Sequence, residues 1–194
     1  MPSNKKQEKK RIFVAVQIPA VVKKEVKELI GQELLKNKDI KLVRPENWHL
    51  TLQFLGDLSD KEVKGAKKAL KALAESYKLF NLYVESLELY PRENMPRVVA
   101  LQLKDHSALM DVQAAVAKAL EKWTSPEAAK QQFRPHISIL RLKPDVDIAE
   151  VQELLAEPYE RRFEVPDIVL YSSVLEETGA VHTEEARFEL LPDE

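Results

Sequence analysis

The chain has 194 residues, of which 44% are hydrophobic and 32% are charged, with a formal net charge of -2 and no cysteine. This size and composition predict one compact unit with enough apolar side chain to fill a sizeable core. The net charge excludes the global positive field of a non-specific nucleic-acid coat protein. The lack of cysteine excludes disulfides, thiolate metal sites and a cysteine nucleophile.

The N-terminal residues MPSNKKQEKKR are basic and polar, and no apolar segment of the kind found in a signal peptide follows them. No stretch of the chain approaches the length of a membrane span. We therefore expect a soluble, cytoplasmic, monomeric protein with no membrane partner. Residues 1–10 are predicted to be a disordered basic tail, and residues 11–194 a single domain.

The first half of the chain alternates predicted strands and helices. An apolar run over 11–18, closed by Pro19, predicts a buried strand, and helical spacing predicts an amphipathic helix over 21–35. Alternation of polar and apolar residues predicts a strand over 49–56. A helix over 61–77 and a strand over 80–90 follow.

The second half repeats that order of elements. Its predicted strands and helices cover residues 98–103, 106–123, 135–140, 148–155, 163–171 and 187–190. Because the order of strands and helices repeats, we predict an α+β fold with a pseudo-twofold duplication. In this fold two largely antiparallel sheets face a central cleft and the helices lie outside. The lobes would be residues 11–92 and 93–194, with room for the terminal strands to be exchanged between them.

Two histidines stand at matching positions in these halves, and each is followed two residues later by a hydroxyl. Residues two apart in a strand share a face, so His49 is presented with Thr51, and His136 with Ser138. Either histidine taken alone is more simply explained as a half-buried residue of a sheet than as part of a site. With thirteen Ser and Thr in the chain, chance would give two of four histidines this spacing about 3% of the time. The pairing therefore favours a site.

Paired histidines suit the opening of a cyclic phosphodiester by water. Histidine titrates near neutral pH, so one neutral ring can remove the proton of water while a charged ring protonates the departing sugar oxygen. The hydroxyls of Thr51 and Ser138 would donate hydrogen bonds to the phosphoryl oxygens. These four residues predict an acid–base site that requires no metal.

Three further residues are candidates for substrate binding. Strict alternation places Arg141 on the face opposite the histidine of its strand, so it reaches a phosphate only if the strand bends or ends by residue 140. Arg134 either binds phosphate or pairs with local carboxylates. Phe54 alternates away from His49, which favours core packing over stacking on a base.

The chain resembles the 2H phosphoesterases, because HLTL and HISI match their paired His-x-Thr/Ser-x signature. More closely, it resembles the bacterial and archaeal RNA 2′,3′-cyclic phosphodiesterases, also called 2′-5′ RNA ligase-like proteins. Supporting segments occur in the family's order over residues 11–190: RIFVAVQIP, VRPENWHLTLQFLGDL, PRVVALQL, FRPHISILR and VLYSSVLEETGA.

The resemblance implies hydrolysis of 2′,3′-cyclic phosphate ends of RNA, or of nucleoside 2′,3′-cyclic phosphates, to 2′-phosphates. It allows reversible 2′-5′ joining of RNA ends and implies no cofactor. His49 and His136 would be catalytic, with His136 as base and His49 as acid by analogy. Ser138 stands where threonine is commoner, which keeps the hydroxyl, and His182 stands where similar proteins tend to carry Tyr.

Other functions compete with this interpretation. A metal hydrolase needs about three clustered ligands, and the two strand histidines have no HExxH, DxD or cysteine companions. A non-catalytic module of the same fold would bind nucleotides or RNA ends in the same groove. A scaffold protein gives no reason for the duplicated polar pairs. Turnover of a cyclic phosphate, with and without a chelator, separates these functions.

Overall fold

The computed structural model describes residues 9–90, 96–104, 106–177 and 179–193. The strands are β1 (Lys10–Gln17), β2 (Ile40–Leu42), β3 (His49–Leu58), β4 (Phe80–Tyr90), β5 (Val98–Lys104), β6 (Ile137–Leu142), β7 (Arg161–Val165), β8 (Asp167–Glu176) and β9 (Gly179–Glu189). The α-helices are α1 (Ala20–Ile30), α2 (Asp60–Ala74), α3 (Ser107–Leu120), α4 (Pro126–Ala129) and α5 (Ala149–Ala156). Short 3₁₀ turns cover Leu34–Lys36, Pro45–Asn47 and Glu121–Trp123.

The strands form two sheets, in which every pairing between named strands is antiparallel. The first sheet has the order β3-β1-β8-β9, and the second sheet has the order β2-β6-β5-β4-β7. Helices α2 and α3 pack against each other, α3 contacts β3 and β4, and α5 contacts β4. The predicted α+β fold with two antiparallel sheets is confirmed.

Each sheet takes strands from both halves of the sequence. β4, the last strand of the first half, lies between β5 and β7 in the second sheet, while β8 and β9 complete the first sheet. β2 also belongs to the second sheet, although β1 and β3 flank it in the chain. A division at residues 92 and 93 therefore follows sequence order and not sheet membership.

Several element boundaries differ from the predictions. Helix α1 ends at Ile30 because Gly31 adopts a φ of 66°, so the predicted extension to residue 35 is wrong. The predicted strand over 163–171 is two strands in different sheets, β7 and β8, with Pro166 between them. Lys10 pairs with Leu58 in β1 and is not part of a tail, whose residues 1–8 lie outside the described residues.

Strand β9 is much longer than the predicted strand over 187–190. It begins at Gly179, and pairs with β8 along its length. Its sequence shows little apolar alternation because β9 is the edge of its sheet and most of its side chains are exposed or half-buried. Pairing with β8, and not burial of one face, therefore defines this strand.

Helix α2 begins with a capping box. Ser59 and Glu62 form it, with the Ser59 backbone N–H donating to the Glu62 carboxylate at 2.8 Å. Within α2, Gly65 lies so close to Trp123 that an added Cβ would stand 2.5 Å from the indole. Among the described residues, no helix combines the length and apolar character needed to cross a membrane.

Candidate active site

A cleft of about 960 Å³ lies between the two sheets. All residues that the sequence nominated for catalysis or substrate binding line it: His49, Thr51, Phe54, Arg134, His136, Ser138 and Arg141. His49 opens β3 in the first sheet, whereas Ser138 lies on β6 in the second. The two histidine motifs thus meet from different sheets.

His49 is largely enclosed by aromatic rings. Its ring centroid lies 5.0 Å from that of Phe13 and 6.1 Å from that of Tyr171, at interplanar angles of 30° and 29°. Phe13 and Tyr171 belong to a small apolar cluster, separate from the main core, on β1 and β8. The neighbouring strands therefore provide an apolar platform for this imidazole.

Burial is the main cause that lowers the pKa of His49 to about 4. Repulsion from His182, Lys23 and His136 lowers this pKa further, while a hydrogen bond to the Asn47 backbone opposes the change. His49 is consequently neutral over the ordinary range of pH in the free protein, and its imidazole is able to accept a proton.

His182 is a third cleft histidine, which lies on β9. Its ring meets His49 edge-on, with centroids 5.2 Å apart and an interplanar angle of 80°, and it meets Phe13 at 5.0 Å. Its Nδ1 is buried and has no hydrogen-bond partner among the described residues, and burial lowers its pKa. His182 therefore belongs to the surroundings of His49.

His136 lies immediately before β6, so the prediction that it belongs to the strand is wrong by one residue. Its Nδ1 lies 2.8 Å from the carbonyl oxygen of Arg134, an acceptor that fixes the proton on Nδ1. Nε2 is then the nitrogen available for chemistry. The Tyr90 ring stacks on the imidazole, with centroids 4.2 Å apart and an angle of 13°.

A β-bulge in β6 brings Arg141 to the cleft. Ser138 pairs with Ala100 and Leu140 pairs with Val99, which leaves Ile139 as an extra residue. Ile139 and Leu140 are both buried, so alternation is interrupted and Arg141 lines the cleft together with Ser138. Strict alternation would place Arg141 on the opposite face, and this bulge is the bend on which its access to the cleft depends.

Strand β3 has a bulge at the matching place. Thr51 pairs with Ala15 and Gln53 with Val14, so Leu52 is the extra residue, as Ile139 is in β6. Phe54 then lies beside Phe13, with centroids 5.9 Å apart, and is 39% exposed. The expected packing of Phe54 in the core is therefore wrong, and its ring lines the cleft.

Arg134 and Trp48 each lie close in sequence to a motif histidine, but Arg134 lies in the cleft and Trp48 in the core. Arg134 lines the cleft, and its guanidinium donates to the Gln132 side chain at 3.3 Å without forming an ion pair with a described carboxylate. Trp48, next to His49, is only 1% exposed and donates its indole N–H to the Val43 carbonyl at 2.7 Å. Trp48 is thus a core residue.

Sequence reasoning missed the aromatic residues that flank the two histidines. Tyr90 ends a strand that alternation predicted correctly, Phe13 lies in the run predicted to be a buried strand, and Tyr171 ends the predicted strand over 163–171. Their role depends on which strands are neighbours, for which a single sequence gives no direct signal. His106 is half-buried at the start of α3 and does not line the cleft.

The described wall of the cleft carries positive charge and no carboxylate. Its cationic side chains are Arg11, Lys41, Arg44, Arg134 and Arg141. Such a lining attracts an anion, although the whole chain has a net charge of -2. No group of three or more His, Cys, Asp or Glu with metal-binding geometry occurs among the described residues.

The sequence profile of the 2′-5′ RNA ligase superfamily matches residues 19–176, which include both histidine motifs. The chain belongs to this superfamily. It is 26% identical to the RNA 2′,3′-cyclic phosphodiesterase of Archaeoglobus fulgidus, over 92% of this chain and 99% of the relative. It is 30% identical to the Aquifex aeolicus protein of the same name, over 79% of this chain and 86% of the relative.

Solved structures agree on the fold. A crystal structure of a Thermus thermophilus protein matches with a TM-score of 0.80 and 24% identity, covering 95% of this chain and all of the other. E. coli LigT complexed with 3′-AMP matches with a TM-score of 0.76 and 22% identity, covering 94% of this chain and 99% of LigT. The profile match over residues 19–176 confirms the superfamily membership suggested by the sequence.

Proposed function

We propose that this chain is an RNA 2′,3′-cyclic phosphodiesterase, which hydrolyses cyclic phosphate ends to 2′-phosphates with His49 and His136 as a general acid–base pair. The observation that carries the proposal is the meeting of two His-x-hydroxyl motifs, from different sheets, in one cleft whose described lining has no carboxylate. The activity named for its relatives supports the same reaction.

The reaction requires one imidazole on each side of phosphorus. One ring takes a proton from water as the water oxygen bonds to phosphorus, and the other gives a proton to the 3′ oxygen as its bond to phosphorus breaks. Thr51 and Ser138 donate hydrogen bonds to the non-bridging oxygens, where negative charge increases in the transition state. Each product molecule then carries a 2′-phosphate and a free 3′ hydroxyl.

The acid and base roles can be separated with a substrate that has sulfur in place of the 3′ oxygen. A thiolate leaves without protonation, so this substrate rescues the variant that lacks the general acid and not the variant that lacks the base. In the free protein, the lowered pKa of His49 favours the base role for this ring. Family analogy assigns the base role to His136, and the rescue pattern decides between them.

The proposal is tested with adenosine 2′,3′-cyclic phosphate and chromatographic separation of the 2′- and 3′-phosphate products. His49→Ala and His136→Ala should each lower kcat/KM by about 10²- to 10⁴-fold. His106→Ala is the matched control, because His106 lies outside the cleft. Activity that appears only with added metal, or formation of the 3′-phosphate, would contradict the proposed mechanism.

A non-catalytic module of the same fold predicts a different result, namely tight nucleotide binding without product. The proposed substrates are RNA ends and nucleoside 2′,3′-cyclic phosphates, and DNA should be inert because it lacks the 2′ oxygen. Reversible 2′-5′ joining of RNA ends is proposed as a second activity of the same site: the 5′ hydroxyl of another strand takes the place of water, bonds to the cyclic phosphorus and displaces the 3′ oxygen. Denaturing electrophoresis of an RNA with a cyclic phosphate end, mixed with an RNA that has a 5′ hydroxyl, measures the joined product. A cytoplasmic location and a monomeric state remain predictions.

A further inference from the structure

A second groove, of about 680 Å³, lies between α1 and the segment over residues 32–45. Its two walls differ in character, since α1 contributes cationic side chains and the opposite side is apolar. The cationic residues are Lys23, Lys24 and Lys27, and the apolar residues are Leu35, Leu42 and Pro45. Such a groove suits a ligand that combines a flat apolar ring with an anionic group.

Two of the three lysines are available to a ligand. Lys24 forms an ion pair with Glu28 at 3.9 Å, and Glu28 is the carboxylate in the described lining. Lys23 and Lys27 form no ion pair or side-chain hydrogen bond with a described residue. They are four residues apart on α1, where like charges disfavour the helix, and burial lowers the pKa of Lys23 although Glu46 opposes this change. An anion between the two lysines would relieve both costs.

The groove lies next to the cleft. Leu42 lines both of them, and after it Arg44 lines the cleft while Pro45 lines the groove. The charge of Lys23, on the wall of the groove, is close enough to His49 to contribute to the lowering of its pKa. A nucleic-acid strand that leaves the cleft across this turn would therefore enter the groove.

The turn between the groove and the cleft is held in place from both sides. It is the 3₁₀ turn Pro45–Asn47. Behind it, the indole N–H of Trp48 donates to the Val43 carbonyl at 2.7 Å, and the Asn47 side chain donates to the Ala180 carbonyl of β9 at 2.8 Å. The spacing of groove and cleft is thus fixed before a ligand binds, which reduces the entropy lost on binding.

We propose that this groove binds the penultimate nucleotide of an RNA strand whose cyclic phosphate end occupies the cleft. The base of this nucleotide packs against Leu35, Leu42 and Pro45, and its 5′-phosphate lies between Lys23 and Lys27. The inference rests on the proposed cyclic phosphodiesterase function. It narrows the substrate class to RNA ends of at least two nucleotides, in preference to free nucleoside cyclic phosphates.

The test compares kcat/KM for two substrates with the same cyclic end. One is adenosine 2′,3′-cyclic phosphate, and the other is the 5′-phosphorylated dinucleotide pApA with a 2′,3′-cyclic phosphate. The dinucleotide should be better by about tenfold, the contribution of one bound base. In the double variant Lys23→Gln with Lys27→Gln, this ratio should fall about fivefold. The ratio cancels any effect of Lys23 on His49, because both substrates use the same catalytic groups.

Lys64→Gln is the matched control for the two lysines. Lys64 is also an exposed helical lysine, but it lies on α2 and lines neither the groove nor the cleft. This variant should keep the original ratio. An equal fall in Lys64→Gln would show a general effect of charge and overturn the local subsite. A ratio of one in the unmodified protein would also overturn it, as expected if the groove binds another ligand such as an acidic peptide.

Methyl NMR locates the dinucleotide without turnover. The probes are the 2′-phosphate products, adenosine 2′-phosphate and pApA with a terminal 2′-phosphate. Thr51, in the cleft, should shift with both ligands, whereas Leu35, which lines the groove and not the cleft, should shift with the dinucleotide alone. A dinucleotide that shifts Thr51 and leaves Leu35 unchanged would overturn the subsite.

The two proposals fail in different ways. Failure of the proposed function would appear as no hydrolysis of either cyclic substrate. Failure of the subsite would appear as hydrolysis of both substrates with equal kcat/KM.

Discussion

The two histidine motifs share a local design and differ in their surroundings. Both histidines bond to the backbone of the residue two positions earlier, and both precede a hydroxyl and a bulge residue at the same spacing. His49, however, packs among Phe13, Tyr171 and His182, whereas His136 is covered on one face by Tyr90. The motif sets where each side chain lies, and tertiary neighbours set which rings pack against it.

The largest expected effect tests whether the two histidines act as one unit. The double variant His49→Ala with His136→Ala should lose hardly more activity than either single variant, since residues that act together are strongly non-additive. Single-turnover hydrolysis of adenosine 2′,3′-cyclic phosphate measures the rate constant of the chemical step in each variant. Independent, multiplicative losses would show that the two rings do not serve the same step.

The hydroxyls provide the next comparison. Thr51→Val and Ser138→Ala should each lower kcat by about 10²-fold, the effect of removing one donor to a transition-state oxyanion. Thr51→Ser and Ser138→Thr keep the hydroxyl and should stay within a few-fold of the unmodified protein. A large loss in these two conservative variants would indicate packing, and not hydrogen bonding, as the role of the residues.

The low pKa of His49 should make folding depend on pH. The unfolded imidazole takes up a proton near its ordinary pKa of 6.5, whereas the folded one does so only at about 4. The unfolded chain thus binds more protons between these values, so stability falls as the pH drops through this window. The expected loss between pH 7.5 and pH 5 is about 2 kcal/mol from this residue.

Urea unfolding at the two pH values measures that loss. His49→Asn should remove this part of the dependence, and His106→Asn provides the matched comparison for a histidine outside the cleft. An unchanged slope in His49→Asn would mean that the ring is more hydrated than its packing indicates.

The stack on His136 should contribute a smaller amount. Tyr90→Leu should lower kcat by about 3- to 10-fold, because an aromatic pair contributes about 0.5–1.5 kcal/mol beyond its buried area. Tyr90→Phe keeps the stack and should retain activity. If Tyr90→Phe falls as far as Tyr90→Leu, the phenolic hydroxyl and not the ring is the important group.

The smallest expected change concerns the ring beside His49. His182→Phe keeps the edge-on packing and removes a positive charge at low pH, so the pKa of His49 should rise. With only four histidines in the chain, NMR titration of their ring protons can follow each one, and His106→Phe is the control. A fall in the pKa of His49 would mean that burial outweighs the lost repulsion.

The sequence predicted the parts of the site that depend on local periodicity. The spacing of His49 to Thr51 and of His136 to Ser138 identified side chains that the cleft brings together. The same periodicity misplaced Phe54 and Arg141, because a bulge is a property of the register with a neighbouring strand. One extra residue reverses the face of every residue after it.

The hydrophobic pattern of the sequence also does not predict the order of the strands in the sheets. Apolar runs identified β1 and β5, and alternation identified β4, but only the folded sheets show that β8 lies beside β1 and that β4 lies between β5 and β7. Strand β9 lacked a signal because its side chains are mostly solvated. The aromatic platform under His49 depends on that order and could not be anticipated.

The interleaving of the two sheets has a consequence for how the cleft is held open. The chain passes between the sheets at residues 18–39, 43–48 and 59–79, and again at Pro166, where one residue separates β7 from β8. Neither wall of the cleft is therefore a self-contained fragment, and we expect that no single cut would release one as an independently folding piece. The distance between the two imidazoles therefore depends on how the whole chain folds. We expect changes in a single loop to alter the width of the cleft little.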